Sequence, residues 1–560
     1  MPEQPLRSRS SRWPEEFDFH LPLPEGNAFG MLARSAARDP SHPAILYYGA
    51  MIAYGEVLAQ AEALAGHLRH VCGVRKGDRV LVDLQNSPHY IIAFQAILRA
   101  DAVVVPVNPM NTSVEIEHYL TDSGARTAIL GDELLDRFAP LMPHLLDHAI
   151  VARYADALPA RCNDPLPEVM LRPRTDLPPG FTPWTAAIAE TRNAGPMTGT
   201  LDDLAVMPYT SGTTGRPKAC RHPHRSLVFT GSLQAKWYGI TPDSVMTAFM
   251  PLFHVAGMQA SMSSGLSAGA TLVLMTRWNR DLISPLFLRH GVTFWSAAPT
   301  MIVDVMASDS FDDRAFDRIT VLTGGGSSMP SALAEQLQAR YGLRFCEGYG
   351  LSETLSATHI NPVRHPKPQC LGIPVFETLS MVVEPGGVTE LPVGEVGEIL
   401  ISGPQIMQGY WRNPQADQDI FVEIGGRRWL RTGDMGWRDA EDYYFLSDRL
   451  KRMINVAGYK VWPAECEMLL YRHGDIQECA VIAVNDPRRG ESVKAFVTLR
   501  KEARGKVSEE DVIAFARTVM AAYKLPRFVE FRDALPRTGS NKIDWRKLQE
   551  EEAAGEETRA

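Results

Sequence analysis

The alternation of strand-like and helix-like segments near the start of the chain constrains the fold most. Residues 58–68 have the apolar spacing of an amphipathic helix, 79–84 of a strand, 90–100 of a helix and 102–106 of a buried strand. This order is typical of parallel βαβ units with helices on both faces of a sheet. We therefore predict an α/β protein. Because 560 residues are too many for one hydrophobic core, we expect at least two domains.

Charge and cysteine content exclude several classes of protein. The formal net charge is −9, with no clustered run of Lys and Arg, which disfavours a nucleic-acid partner. The seven cysteines form no C-x-x-C pair, which argues against a disulfide framework or a zinc site and suits a reducing cytoplasm. Residues 1–18 have no apolar core of the kind a signal peptide or membrane anchor needs. A cytoplasmic location is predicted.

Residues 246–276 contain no Asp, Glu, Lys or Arg, as a membrane span would. Pro251, His254 and several Gly and Ser residues interrupt the run. We therefore expect a buried strand and helix that line a pocket, and no membrane span.

The segment 209–220, YTSGTTGRPKAC, has the composition of a phosphate-binding loop. Its four hydroxyl donors, two glycines and one lysine are Thr210, Ser211, Thr213, Thr214, Gly212, Gly215 and Lys218. Glycines let backbone N–H groups approach an anion, and the lysine adds a positive charge. The P-loop pattern is excluded, because Pro217 comes five residues after Gly212 and Ala219 follows the lysine. A nucleotide is the natural ligand; a Ser/Thr/Gly-rich surface turn is the alternative.

Two further segments carry candidate nucleotide contacts. A predicted strand at 318–322 leads into Gly324, Gly325 and Gly326, and open α/β sheets bind ligands at such strand ends. The segment 347–354, EGYGLSET, follows; its Tyr349 is suited to stacking on a base and its Glu353 to holding Mg²⁺. Taken alone, such a tyrosine is more often core and such a glutamate more often solvated.

A second, α+β domain is predicted to begin near residue 450. Strands are expected at 453–457, 479–484 and 492–499, a helix from Pro463, and another from the cap Ser508 to about 522. Residues 550–560 have too little apolar surface to fold and are predicted to be disordered. An irregular excursion is expected at 159–200.

Three charged residues in this half of the chain are further candidates. Asp434, in WLRTGD, is suited to accepting two ribose hydroxyls, and Arg449 to binding phosphate. Lys542 lies in the Gly/Ser-containing segment PRTGSNK. The alternatives are a turn cap for Asp434, a surface ion pair for Arg449 and plain solvation for Lys542.

These motifs, in this order and over nearly the whole chain, resemble the adenylate-forming superfamily of acyl-CoA synthetases, peptide-synthetase adenylation domains and firefly luciferases. The resemblance implies a large N-terminal domain of distorted sheets and helices, residues 1–450, that binds ATP and the acyl substrate. It also implies a small mobile C-terminal lid, residues 451–560, hinged near Lys451.

The resemblance also implies roles for single residues. In the first domain, residues 210–218 bind phosphate, Gly324 to Gly326 flank the adenine, Tyr349 stacks on it, and Ser352 and Glu353 serve phosphate and Mg²⁺; Glu347 and Gly348 belong to the same nucleotide-binding segment. Further along, Asp434 holds the ribose, Arg449 secures the nucleotide, and Lys542 is catalytic together with Glu353 and Lys218. Ser352 stands where many members have Thr, and Ala219 and Cys220 where Gly is frequent after the lysine.

The implied reaction has two halves. A carboxylate attacks the α-phosphorus of ATP and expels pyrophosphate, and the thiolate of coenzyme A then attacks the acyl-AMP. Lys542 and Mg²⁺ neutralise charge in the first half. Gly458, Tyr459 and Lys460 are assigned to the second half, with an ordinary edge strand as the alternative. His254 matches a position near the acyl pocket and pantetheine tunnel, or is a hydrogen-bonded core residue.

The wording of GYKVWPAE and GGGSSMP is most similar to bacterial fatty-acyl-CoA ligases, so a medium- or long-chain fatty acid is expected. An aryl or arylalkanoic acid is the alternative substrate. A stand-alone adenylation enzyme that loads a carrier protein is a second alternative. A non-catalytic nucleotide-binding module is disfavoured by the presence of Glu353 and Lys542. A homodimer is possible.

Overall fold

The computed structural model describes residues 10–174, 176–190, 192–210, 217–326, 329–449, 452–456, 459–486, 490–538 and 542–559. The chain forms two compact units. The first comprises Met1–Leu379 and Ile401–Leu430, and the second Ser380–Leu400 and Arg431–Ala560. The boundary predicted at residues 450 and 451, and the hinge near Lys451, lie outside the described residues.

The strands in chain order are β1 Pro43–Tyr47, β2 Ala50–Ala53, β3 Arg79–Asp83, β4 Val103–Pro106, β5 Thr127–Gly131, β6 His148–Ala152, β7 Phe181–Pro183, β8 Leu204–Val206, β9 Tyr209–Thr210, β10 Lys218–Ala219, β11 His222–Pro223, β12 Val245–Ala248, β13 Thr271–Leu274, β14 Phe294–Ser296, β15 Val321–Gly325, β16 Phe345–Leu351, β17 Ser356–Ile360, β18 Ile373–Pro374, β19 Leu379–Val383, β20 Gly397–Ser402, β21 Phe421–Ile424, β22 Arg427–Arg438, β23 Tyr444–Arg449, β24 Ile454–Val456, β25 Tyr459–Val461, β26 Ile476–Asp486, β27 Gly490–Leu499 and β28 Phe528–Phe531.

The α-helices are α1 Gly30–Arg38, α2 Tyr54–His70, α3 Pro88–Arg99, α4 Ser113–Ser123, α5 Leu135–Phe138, α6 Trp184–Ala189, α7 His224–Trp237, α8 Val255–Gly257, α9 Ser264–Ala268, α10 Ile283–His290, α11 Pro299–Met306, α12 Ser331–Tyr341, α13 Pro414–Ile420, α14 Pro463–Leu470, α15 Glu509–Val519 and α16 Trp545–Arg559.

Two large sheets build the first unit. The strand orders are β18-β17-β16-β15-β14-β12-β13-β1-β2 in one and β11-β8-β4-β3-β5-β6-β7 in the other. Neighbouring strands from β16 to β1 are parallel in the first sheet, as are those from β8 to β7 in the second. The predicted α/β class is therefore confirmed.

The predicted βαβ unit appears as α2, β3, α3 and β4. Helix α3 begins where expected because Ser87 caps it, accepting a hydrogen bond from the Tyr90 N–H at 3.3 Å, and Pro88 occupies its first position. All twelve residues of α3 are buried, so this helix packs into the core on every side. Residues 159–200 are mainly irregular, as predicted, but also contain the short β7 and α6.

The uncharged stretch 246–276 folds as strand, helices and strand. It comprises most of β12, then α8, a π-helical segment at Met258–Ser263, α9, and β13. Because Gly269 ends α9 in the left-handed conformation, the chain turns back into the sheet there. Throughout the described ranges, no helix combines the length and the apolar character that crossing a membrane requires.

The second unit contains two groups of strands. Strand β22 pairs with β23 from Asp434 to Arg438, and β25-β24-β27-β26 form a sheet to which β28 adds in parallel beside β27. Pro463 begins α14 and Ser508 caps α15, both as predicted, although α15 ends at Val519. A smaller C-terminal domain is thus present, as the sequence indicated, and its predicted bounds, 451–560, stay a prediction.

The predicted disorder of residues 550–560 is wrong, because helix α16 runs from Trp545 to Arg559. Leu548 is fully buried in a cluster with Phe496 and Leu535. Further along the helix, Glu552 accepts a hydrogen bond from Lys494 at 2.6 Å. The apolar contacts of the first turns and this ion pair hold a segment whose own composition does not favour folding.

Candidate active site

The base of the predicted phosphate loop is a two-stranded ribbon in the first unit. Thr210 of β9 pairs with Lys218 of β10, and Tyr209 pairs with Ala219. The Tyr209 hydroxyl donates to Asp122 Oδ2 at 2.7 Å, which ties the ribbon to α4. Ser211, Gly212, Thr213, Thr214 and Gly215 lie outside the described residues. The two ends of the predicted loop are therefore held side by side.

A second segment continues this pairing on the other side of β10. The Trp411 N–H donates to the Ala219 carbonyl at 2.8 Å, the Arg221 N–H to the Gly409 carbonyl at 2.9 Å, and Cys220 forms a β-bridge with Tyr410. As a result, the Lys218 ammonium lies 5.2 Å from the centre of the Tyr410 ring. A cation at this distance from a ring face is attracted by its quadrupole.

Tyr410 links Lys218 to the predicted metal-binding carboxylate. Its hydroxyl donates to Glu353 Oε1 at 2.8 Å, and the Met407 N–H donates to the Glu353 carbonyl at 2.9 Å. Burial and the charge of Glu353 raise the pKa of Tyr410 well above its usual value, so the phenol keeps its proton and remains a donor. We call Lys218, Tyr410 and Glu353 the Lys–Tyr–Glu cluster.

The Lys–Tyr–Glu cluster fits a hard cation beside phosphate. Oε1 of Glu353 is held by Tyr410, whereas Oε2 accepts no hydrogen bond from any residue that the structure describes. Carboxylate oxygens of this kind suit Mg²⁺, which prefers carboxylates, waters and phosphate oxygens. Neither Tyr410 nor its role was indicated by the sequence, because a lone tyrosine in GYWRN carries no recognisable signal.

The backbone at Ser352 is held by a histidine that sequence reasoning also missed. His222 Nε2 lies 2.7 Å from the Ser352 carbonyl oxygen. Burial lowers the pKa of His222 to about 4, so the ring is neutral at physiological pH. Since a carbonyl oxygen only accepts, the proton is assigned to Nε2. His222 thus fixes the turn between Leu351 and Glu353.

The glycines at the end of β15 have a packing explanation. Gly324 pairs with Glu347, and Gly325 with Gly348, in the parallel pair β15–β16. A Cβ atom would lie 1.8 Å from the Ala297 carbonyl oxygen at Gly324 and 2.2 Å from the Gly348 carbonyl oxygen at Gly325. Gly326 has a φ of +87°. Glycine at Gly324 and Gly325 is therefore required by the backbone itself.

Tyr349 and Glu347 lie on β16 and are almost fully buried. The Tyr349 ring is 5.7 Å from that of His359, its neighbour on β17, at 57°. Burial lowers the pKa of His359 to about 3, so this ring is neutral. The Glu347 carbonyl accepts hydrogen bonds from the Asn361 N–H at 3.0 Å and from Asn361 Nδ2 at 3.1 Å. Side-chain packing and backbone bonds therefore fix this strand.

His254 caps a helix. Its Nδ1 accepts a hydrogen bond from the Ala256 N–H at 3.3 Å, at the start of α8 and the π-helical segment that follows. The half-buried ring therefore has a structural role in the helix start. Its predicted contact with the acyl group or pantetheine stays a prediction.

In the second unit, the predicted ribose and phosphate residues lie opposite each other. Asp434 on β22 is the register partner of Arg449 on β23. Asp434 is 1% exposed, and its N–H donates to Thr432 Oγ1 at 3.1 Å. Two residues fifteen positions apart in sequence are thus neighbours in one ladder.

The remaining predicted residues also belong to the second unit. Lys542 is exposed; its carbonyl accepts from the Thr538 N–H at 2.8 Å, beside a β-bridge between Arg537 and Ile543. Tyr459 and Lys460 lie on β25, opposite Val456 and Asn455 of β24. Gly458 lies outside the described residues.

Two protein-family profiles and several known proteins match this chain. The profile of the AMP-binding enzyme family matches residues 32–411, and that of the AMP-binding enzyme C-terminal domain matches 465–542. A long-chain-fatty-acid–CoA ligase from Bacillus subtilis (strain 168) is 32% identical over 560 residues, covering 97% of each chain. Feruloyl-CoA synthase from Amycolatopsis sp is 32% identical over 512 residues, covering 91% of this chain and 96% of the relative.

Solved structures of other enzymes share this fold over most of the chain. The ATP-bound structure of MatB from Rhodopseudomonas palustris superposes with a TM-score of 0.82 at 26% identity, covering 94% of this chain and 99% of that one. The anthranilate CoA ligase AuaEII in complex with anthranoyl-AMP gives a TM-score of 0.83 at 25% identity, covering 96% and 98%. The chain therefore belongs to the AMP-binding enzyme family and, within it, to the AMP-forming acyl-CoA synthetases, ligases that use ATP, Mg²⁺ and coenzyme A.

Proposed function

We propose that this ligase activates a medium- or long-chain fatty acid as its acyl-AMP and transfers it to coenzyme A. The observation that carries the chemistry is the Lys–Tyr–Glu cluster, which joins the base of the predicted phosphate loop to the carboxylate of Glu353. The similarity to a long-chain-fatty-acid–CoA ligase over 97% of the chain supports the choice of acid.

In this proposal the first unit binds the triphosphate. Lys218, Thr210 and the loop residues Ser211 to Gly215 contact phosphate oxygens, with the Ser352 hydroxyl beside them. The Glu353 carboxylate holds Mg²⁺, oriented by the Tyr410 hydroxyl at 2.8 Å. Bound Mg²⁺ supplies charge neutralisation at the phosphates. Tyr349, Glu347, Gly348 and Gly324 to Gly326 frame the adenine.

The second unit contributes the remaining groups. Asp434 accepts the ribose hydroxyls and Arg449 secures the nucleotide. Lys542 neutralises charge at the α-phosphate while the acyl carboxylate attacks it, because phosphoryl transfer depends on positioning and charge more than on acid–base groups. Gly458, Tyr459 and Lys460 serve the thioester-forming half-reaction, which has no need of Lys542. The domain boundary at residues 450 and 451, and a mobile lid, are part of the same proposal.

An aryl acid is the second candidate substrate. It is favoured by one observation: the feruloyl-CoA synthase relative is as identical to this chain, at 32%, as the fatty-acid ligase is. A cytoplasmic location is also proposed, supported by seven cysteines that are all free thiols. The homodimer and the lack of a nucleic-acid partner stay predictions that light scattering with and without added nucleic acid checks.

The test is acid-dependent ATP–pyrophosphate exchange across saturated fatty acids of graded length, cinnamic acids and benzoic acids. Thioester formation is then measured by mass spectrometry with coenzyme A and with a phosphopantetheinylated carrier protein. We expect the highest kcat/KM for a medium- or long-chain acid, and a thioester on coenzyme A. Preference for a cinnamic or benzoic acid would replace the substrate class, and transfer to the carrier protein alone would replace the acceptor.

A further inference from the structure

A cavity adjoins the Lys–Tyr–Glu cluster on the first unit. Its volume is about 370 Å³, and we call it the α4 cavity. One wall is a face of α4, where His118 and Asp122 are one turn apart. The other walls are Pro217 to Ala219 and Trp411 to Asn413. Lys218 therefore belongs both to the α4 cavity and to the cluster.

Hydrogen bonds fix the walls of the α4 cavity. The Trp411 indole N–H donates to the Asp122 carbonyl at 3.0 Å, and the Tyr209 hydroxyl donates to the Asp122 carboxylate at 2.7 Å. Asn413 caps α13, accepting a hydrogen bond from the Ala416 N–H at 3.2 Å. A cavity braced in this way is preformed, so a ligand pays little to organise it.

The charge of the α4 cavity favours an anion. Lys218 and Arg412 line it, and neither forms an ion pair with a carboxylate in the part of the chain that the structure describes. The single acid in the wall, Asp122, already accepts the Tyr209 hydroxyl. Two unneutralised cations facing one hydrogen-bonded carboxylate leave a net positive cavity.

The backbone at Arg412 supports the same conclusion. Its φ of +50° lies in the left-handed region, which a non-glycine residue adopts at a cost of order 1 kcal/mol. The guanidinium lies 5.2 Å from the centre of the Trp411 ring, with that of Arg79 at 5.6 Å from the same ring. The chain thus holds an exposed arginine in a strained conformation at the mouth of the α4 cavity, a pattern frequent at binding sites.

We propose that the α4 cavity binds inorganic pyrophosphate, as a subsite that the product occupies after it leaves the triphosphate site. Pyrophosphate is favoured over other phosphate compounds because Lys218 is shared with the cluster where the triphosphate is proposed to lie. Arg412 supplies the second cation and is suited to bidentate phosphate contact. This inference rests on the proposed function for the source of the anion.

The experiment measures pyrophosphate binding while the triphosphate site is filled. The full-length protein is saturated with a non-hydrolysable ATP analogue and Mg²⁺, and pyrophosphate is titrated by calorimetry. We expect one pyrophosphate per chain. Arg412→Gly, which also relieves the positive φ, weakens this binding at least about tenfold. Arg412→Lys keeps the charge but loses the bidentate geometry, so its affinity should fall between those of the wild type and Arg412→Gly. The control Arg225→Gln, at a partly exposed arginine paired with Asp202, leaves pyrophosphate binding unchanged.

Two outcomes would overturn the inference. One is that the wild-type protein binds no pyrophosphate once the triphosphate site is filled, or that the Arg412→Gly variant binds pyrophosphate as tightly as the wild type. The other is an Arg412→Gly variant whose KM for coenzyme A rises while pyrophosphate binding is unchanged, because the cavity would then serve a phosphate of coenzyme A. Calorimetry needs no turnover, so a failure to activate any acid would refute the proposed function and leave this measurement intact.

Discussion

Substitution of Asp83 by Asn is expected to remove a pH dependence of stability from the first unit. Asp83 ends β3, is completely buried, and neither of its carboxylate oxygens has a hydrogen-bond partner among the residues described. Burial, with the charge of Glu133 as a smaller cause, raises the pKa of Asp83 from 3.8 to about 8. The folded protein therefore binds a proton that the unfolded chain has already lost in this range.

The sign and size follow from this difference. Since the pKa is raised on folding, the stabilising contribution is complete below pH 3.8 and is lost as the pH rises to about 8. Each pH unit in that window costs about 1.4 kcal/mol, so the full effect is on the order of 6 kcal/mol. Asn stays uncharged, so the advantage of Asp83→Asn over the wild type grows with pH.

The difference in stability between Asp83→Asn and the wild type is measured from their calorimetric melting temperatures across this pH range. With roughly 2 °C per kcal/mol for a unit of this size, the melting temperature of Asp83→Asn should gain about 6 °C on the wild type between mildly acidic and mildly basic pH. Asp309→Asn, at an exposed aspartate, is the control and should follow the wild type. Parallel curves for Asp83→Asn and wild type would refute the reasoning. Glu133, whose pKa burial also raises, should leave a smaller slope in the variant.

Three further substitutions test the site and its frame. Lys542→Ala should lower the rate of acyl-AMP formation by about 10² to 10³ while thioester formation from preformed acyl-AMP is unchanged. The control Lys547→Ala, at an exposed lysine, should change neither rate. Equal loss in both half-reactions would contradict the proposed role of Lys542 in acyl-AMP formation. Tyr410→Phe keeps the ring beside Lys218 but removes the 2.8 Å hydrogen bond to Glu353. The Mg²⁺ concentration needed for half-maximal ATP–pyrophosphate exchange should therefore rise about tenfold. An unchanged Mg²⁺ titration would show that Tyr410 does not position Glu353. Gly324→Ala places a methyl group 1.8 Å from the Ala297 carbonyl oxygen and should destabilise the first unit by about 2 kcal/mol or more, as measured by calorimetry. The control Gly474→Ala, where an added Cβ meets nothing within 4 Å, should be close to neutral. A Gly324→Ala protein as stable as the wild type would show that β14 and β15 separate easily.

The sequence predicted the elements whose local signals are strong. Helix α3 has a serine cap and a first-turn proline, and β4 is a run of buried valines, so both lie within two residues of their predicted positions. Helix α16 was missed because its stability comes from tertiary contacts of Leu548 and from the ion pair of Glu552 with Lys494, which composition does not reveal.

The candidate site was predictable where a motif exists and unpredictable where only space joins the residues. The hydroxyls, glycines and lysine of 209–220 and the acid of EGYGLSET are visible in the sequence. Tyr410 and His222 are not, because each acts through a single hydrogen bond to a residue 57 or 130 positions away. Gly324 is visible in the sequence as part of a glycine run, and the structure shows that close backbone packing requires a glycine there.

The register of β22 and β23 makes the turn between them as important as the residues it aligns. Asp439 closes this turn, donating its N–H to the Tyr443 carbonyl at 3.0 Å and accepting at its carboxylate from the Tyr443 N–H at 3.0 Å. Adding or deleting one amino acid there would shift the ladder by one step, so that Asp434 and Arg449 would no longer be register partners. If Asp434 and Arg449 bind the nucleotide as proposed, changing the length of that connection would alter nucleotide affinity while leaving both residues chemically intact.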